Sequence, residues 1–147
     1  MTGWIILSII CVMLSPLVWM LPSRKQSGRM ALRLEARRLG MGMQLARAQW
    51  PHWLDPQPSA SCAQYHRQRS SGLTAGWEYW QNGAGNWVNR WREPCGDESM
   101  LAVLRNLPAD VYKVEADGRM VSLYWGERGD AQVLQHINEA LQALAAR

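Results

Sequence analysis

"VYKVEADGRMVSLYWG", residues 111–126, decides the fold. It alternates apolar and polar residues around Asp117-Gly118, the dipeptide a type I′ turn favours because both central residues need positive φ. Counted outward from that turn, Val114 faces Val121 and Tyr112 faces Leu123, with Trp125 on the same side. Lys113, Glu115 and Ser122 point the other way. One buried side and one wet side is the pattern of an antiparallel hairpin.

Helical spacing flanks this hairpin. Downstream, "DAQVLQHINEALQALAAR" sets Val133, Ile137, Leu141 and Leu144 on one stripe behind a cap at Asp130. Upstream, "DESMLAVLRNLP" has an Asp97 cap, Met100, Leu101, Leu104 and Leu107 at helical spacing, and Pro108 as its stop. Before it lies "WEYWQNGAGNWVNRWREP", whose "NGAG" centre signals a turn between two aromatic runs. If the ribbon folds symmetrically about Gly83 and Ala84, Trp80 faces Trp87 and Glu78 faces Asn89, with Trp91 further along. Trp77, Tyr79, Val88 and Arg90 then share the other side, where Trp77 and Arg90, if they meet, form a cation–π pair, plain surface packing being the alternative. Both faces carry aromatics, so the ribbon is either covered twice or leaves one aromatic face to a partner. Nine Trp and no Phe put Trp and Tyr in the large core positions, exposed Trp for recognition being the alternative. Earlier still, "CAQYHRQR" reads as a strand before a turn at "SSG", "PHWLDPQPSASC" as a loop, and "MGMQLARAQW" as a first strand. The order predicts an α+β domain over residues 40–147, a small antiparallel sheet with two helices on one face.

The first forty residues are of another kind. Residues 4–21, "WIILSIICVMLSPLVWML", hold no charged side chain and reach the length that crosses a hydrocarbon core as a helix. Trp4 and Trp19 stand near the ends, where interfacial rings settle, and a helix in lipid can absorb Pro16 as a kink. A cleaved signal peptide would need a basic stretch before the apolar run and a small-residue site after it, and neither is present. Residues 22–39 then carry Arg24, Lys25, Arg29, Arg33, Arg37 and Arg38 against Glu35 alone. Charge that resists translocation follows the span, which predicts an outward amino terminus and a cytoplasmic domain. Arg29, Arg33 and Arg37 recur on one helical stripe beside Met30, Leu34 and Met41. That spacing suits an amphipathic stalk on anionic headgroups, or a solvated helical linker. Residues 39–147 hold ten basic and eleven acidic side chains, a balance that argues against a nucleic-acid-binding face.

Chemistry is sparse. Cys62, His66 and Cys95 could assemble a metal or thiol site, with His52 elsewhere, but no closely spaced Cys pair supports it. Neither Cys62 nor Cys95 sits in a nucleophile frame, "NGAGNW" lacks phosphate-loop spacing, and Asp97-Glu98 reads as helix N-terminal charge. No catalytic set, cofactor or metal is expected.

The uncharged span running into "LPSRKQSGRMALRLEARRLG" resembles the bacterial YajC family of inner-membrane proteins associated with the Sec translocase. The remainder, with "PHWL", "CAQYHRQR", "NRWREPC", "LPADVYKVEA" and "LYWGERG", looks like a group of single-span proteins of Pseudomonas-like bacteria, sometimes labelled YajC-like. The Trp-rich domain departs from the YajC pattern, so the resemblance carries over no functional residue. The expectation is a non-enzymatic accessory or adaptor protein in a bacterial inner membrane, with anionic lipid and a protein as partners. Trp77, Tyr79, Trp80, Trp87 and Trp91 are the candidate partner-binding residues. A metal- or thiol-dependent protein using Cys62, Cys95 and His66 is the alternative, and a small-ligand domain with a Trp-lined pocket a third.

Overall fold

The structure, a computed structural model, describes residues 1–21, 24–54, 57–70, 72 and 75–147, with the main chain alone for 24–26. The side chains of Arg24 and Lys25 and part of the turn expected at 70–72 therefore lie outside the described residues. The chain divides into two compact units, Met1–Ala31 and Leu32–Arg147.

The first unit holds α1 (Thr2–Trp19) and the opening turns of α2 (Arg24–Arg38). By length and composition α1 could cross a membrane. Pro16 lies inside it. Met20 N–H, bonding Pro16 O at 3.2 Å and Leu17 O at 3.3 Å, closes the last turn.

The second unit is α+β. Its strands are β1 (Gly42–Arg47), β2 (Ser61–Gln68), β3 (Trp77–Gln81), β4 (Trp87–Val88), β5 (Val111–Ala116) and β6 (Met120–Trp125). They form one antiparallel sheet in the order β1-β2-β6-β5-β3-β4. Its helices are α3 (Glu98–Arg105) and α4 (Ala131–Ala145), joined by the end of α2. Both expected caps are made: Asp97 Oδ1 accepts from the amides of Ser99 and Met100, and Asp130 Oδ1 from Gln132 and Val133. Leu104, Leu134, Ile137, Leu141 and Leu144 pack on Tyr65, Val111, Val114, Val121, Leu123 and Trp125 as one core. Each large apolar side chain wholly removed from water there contributes about 1.5–3 kcal/mol.

Three expectations about local structure are corrected. Around Asp117, Ala116 pairs with Val121 and Val114 with Leu123, so the central turn residues are Gly118 and Arg119. Gly118 has no positive φ. Asp117 acts through its carboxylate, accepting from the amides of Arg119 and Met120 at 2.7 Å each, an Asx turn in place of type I′. The shift is two residues, so it leaves every side chain on its expected face. Tyr112 is the exception: a bulge between Val111 and Lys113 takes it off the core face to Trp50, with ring centroids 6.0 Å apart.

In the aromatic hairpin Trp80 pairs with Val88 and Gln81 with Trp87. This register is one residue from the expected one, so Trp80 and Trp87 lie on opposite faces. The loop carries the shift, with Asn82 Oδ1 accepting from the amides of Ala84 and Asn86 and Gly85 at φ 79°, a conformation that suits glycine. Finally, the second unit begins at Leu32, ahead of the expected boundary at 40. The buried face of α2 is Leu32 and Ala36, while Met30 and Leu34 are exposed and Met41 is buried beyond the helix.

Candidate functional site

The face of the sheet away from α3 and α4 carries polar residues from β1, β2, β3, β5 and β6. Strand alternation puts Gln44, Gln64, Tyr124, Lys113, Glu115 and Glu78 there, since each pairs across with another of them or lies one step from a core residue. They join into a chain of hydrogen bonds. Gln44 Nε2 donates to Gln64 Oε1, Gln64 Nε2 to the Tyr124 hydroxyl at 3.1 Å, and that hydroxyl to Glu115 Oε1 at 2.9 Å. Lys113 Nζ lies 2.8 Å from Glu115 Oε2 and 3.5 Å from Glu78 Oε2. Arg90, just past β4, closes the chain with two N–H groups on Glu78 Oε1. Burial, then the Glu115 carboxylate, push the Tyr124 hydroxyl above its ordinary pKa, so at neutral pH it donates.

Half of this face is roofed. Trp50 packs edge-on against Tyr112 and Tyr124, and Trp53 against Trp80 at 6.0 Å. Lys113 Nζ lies 5.0 Å from the Trp80 ring, and the Arg92 guanidinium lies over Trp53. Arg92 holds φ 63°, a strained value for a side chain this size. Away from Trp50 and Trp53, the face carries an open groove of about 570 Å³. Ser122, Gln64 and Glu115 line it with Glu78, Asp117 and Trp91. Trp91 is 71% exposed and carries the Arg90 guanidinium 5.6 Å from its ring centroid.

The five aromatic candidates separate. Trp80 and Trp87 are buried on opposite faces, and Trp77 and Tyr79 are half-buried against the core. Only Trp91 of the five stands free to meet a partner. The expected Trp77–Arg90 pair does not form; Arg90 sits between Glu78 and the Trp91 ring instead. Cys62, His66 and Cys95 are not brought together. Cys62 and His66 lie four residues apart along β2, on the face away from the helices, while Cys95 is in the helix-side core. The His66 ring occupies the space a Cβ on Gly42 would need. Burial, then the Glu127 charge, raise the Cys62 thiol to about 11. Among the described residues no group of three or more His, Cys, Asp and Glu is placed to hold a metal.

Of the basic residues assigned to the stalk, Arg37 and Arg38 are exposed, Arg38 lying 3.5 Å from Glu35. Arg33 has another partner. Its Nε and Nη2 bond Glu127 Oε2 at 3.0 Å and Oε1 at 2.7 Å, and the Tyr65 hydroxyl donates to Glu127 Oε2 at 3.0 Å. The Glu127 side chain is only 5% exposed and its φ is 60°. Hydrogen bonding to Glu127 raises the Arg33 pKa, and burial raises that of Tyr65. Glu127 and the polar groove residues were not singled out from sequence, whereas Trp77, Tyr79 and Trp91, which also line the groove, were. The alternation did put Glu115 and Ser122 on the polar side, but nothing in it told that the side is half roofed.

No protein-family model, curated protein or solved structure matches the chain.

Proposed function

We propose that the protein is a non-enzymatic accessory protein held in a bacterial inner membrane by α1, whose folded unit docks a protein partner through the open half of the polar sheet face. The amino terminus faces outward and the folded unit the cytoplasm, because the basic cluster follows the span. The YajC-like character of the opening residues extends the reading to a membrane complex such as the Sec translocase. In it, Arg29, Arg37 and Arg38 face anionic headgroups, and Arg33 is spent on Glu127.

One observation carries the docking reading: Trp91 stands exposed beside a groove, whereas Trp80 and Trp87 of the same hairpin are buried. An exposed Trp flanked by an arginine has the composition of an interface anchor. A photoreactive amino acid at position 91, in native membranes, should crosslink to one discrete protein species, and the same group at exposed position 136 on α4 should not. Equal capture from both positions, or none from 91, would contradict the reading.

A further inference from the structure

We infer that β1 is a self-association edge, along which two copies of the chain pair antiparallel about a twofold axis at Leu45 and join their sheets. The inference is independent of the docking reading, which concerns the polar face. The two edges of the sheet differ. β4 is two residues long, and on the side away from β3 its Val88 is bridged to Pro94, which has no N–H to offer a further strand. β1 pairs with β2 over six residues without a bulge, contains no proline, and carries its one charge, Arg47, at its last position. Ala48 N–H bonds Ala60 O at 2.9 Å, which fixes the phase of this ladder. Gly42, Gln44 and Ala46 therefore turn their backbone groups to β2, and Met43, Leu45 and Arg47 turn theirs to the open side. Among the described residues no hydrogen bond reaches those three N–H groups and three carbonyls. Leu45 is 63% exposed, although Ala63 opposite it is in the core.

An unprotected edge is a template for another strand, and the complement of this one is its own sequence. About Leu45, Met43 meets Arg47 of the second copy, Gln44 meets Ala46, and Leu45 meets its counterpart. All three outward residues of each copy then fall in hydrogen-bonded pairs, which makes six bonds. A slip of two residues either way leaves one of the three unmatched within the strand. The chosen register also lays the aliphatic stem of Arg47 along Met43 and keeps the two arginines about 13 Å apart. Residues 39–147 hold ten basic and eleven acidic side chains, so two copies meet without strong net repulsion. One strand edge is small beside the roughly 800 Å² per partner of a standard interface. Confinement of the copies by α1, long and apolar enough to span a bilayer, raises their effective concentration and offsets that weakness.

The test is copper-catalysed disulfide formation in isolated membranes, on full chains carrying Cys11→Ser, Cys62→Ala and Cys95→Ala and one new cysteine. Leu45→Cys should link two copies at least about tenfold faster than Met43→Cys or Arg47→Cys alone, because only position 45 faces itself across the axis. Met43→Cys and Arg47→Cys chains expressed together should link to each other within about threefold of the Leu45→Cys rate. Adding Leu45→Pro to both chains of that mixture removes the two central inter-copy bonds and no bond to β2, and should slow linkage about tenfold. Leu45→Lys, which keeps the backbone groups but sets like charges opposite, should slow it as well and decides the matter if the proline variant proves unfolded. Equal rates at 43, 45 and 47 would mark random collision or pairing through α1 and would overturn the inference, as would absence of linkage at 45 or a mixed linkage indifferent to Leu45→Lys.

Discussion

The side chains of one hairpin have opposite fates, and the difference is large enough to measure. Trp87 is 2% exposed and packs within the core, whereas Trp91 is 71% exposed. Denaturation of the full chain in micelles should show Trp87→Ala costing about 3–5 kcal/mol and Trp91→Ala less than about 0.5 kcal/mol. A crosslinking defect in Trp91→Ala would thus report docking, while one in Trp87→Ala would report unfolding. Cys62 gives a pH signature of its own. Its native thiol titrates near 11 against about 8.5 for a free thiol, so above pH 8.5 the unfolded chain binds fewer protons than the native one. The stability this contributes is fully present below pH 8.5 and is lost as pH rises through 11. The stability gap between the native protein and Cys62→Ala should narrow over that window by of order 1 kcal/mol, read from unfolding midpoints at successive pH values.

Among the elements, α2 departs furthest from its sequence reading. Its arginine stripe has the spacing of a lipid-facing helix, yet Arg33 forms a two-pronged pair with Glu127, ninety-four residues away. Periodicity along one helix cannot reveal a partner brought by the turn after β6. The partly exposed Arg33 end tempers the cost of breaking this pair, so Arg33→Met should destabilise by about 2–3 kcal/mol. Glu127→Gln in the same chain should recover part of the loss, since the uncompensated charge is then gone. A double variant as unstable as the sum of the singles would contradict the buried-pair account. The hairpins show the same division between what is local and what is not. Asp117 and the "NGAG" loop were legible as turns because Asp, Asn and Gly act on their own backbone. Loop length was not, and one residue of it reversed the face of Trp87 relative to Trp80. The helix caps at Asp97 and Asp130 were legible for the same local reason. The groove was not, because its lining is brought together from β2, β3, β5 and β6 and from the residues just past β4, which are distant in sequence.

Taken whole, the molecule joins an apolar helix able to span a membrane to an α+β unit with one sealed sheet face and one half-open face. Both the placement and the groove can be read at adjacent positions on β6, where Val121 is fully buried in the core and Ser122 lines the groove. A single cysteine at 121 or at 122, in a chain carrying Cys11→Ser, Cys62→Ala and Cys95→Ala, can be treated in intact spheroplasts with membrane-permeant or impermeant maleimide. The account predicts that the Ser122→Cys chain reacts with the permeant reagent alone, and that the Val121→Cys chain reacts with neither. Labelling of position 122 by the impermeant reagent, or equal labelling of both positions, would contradict it.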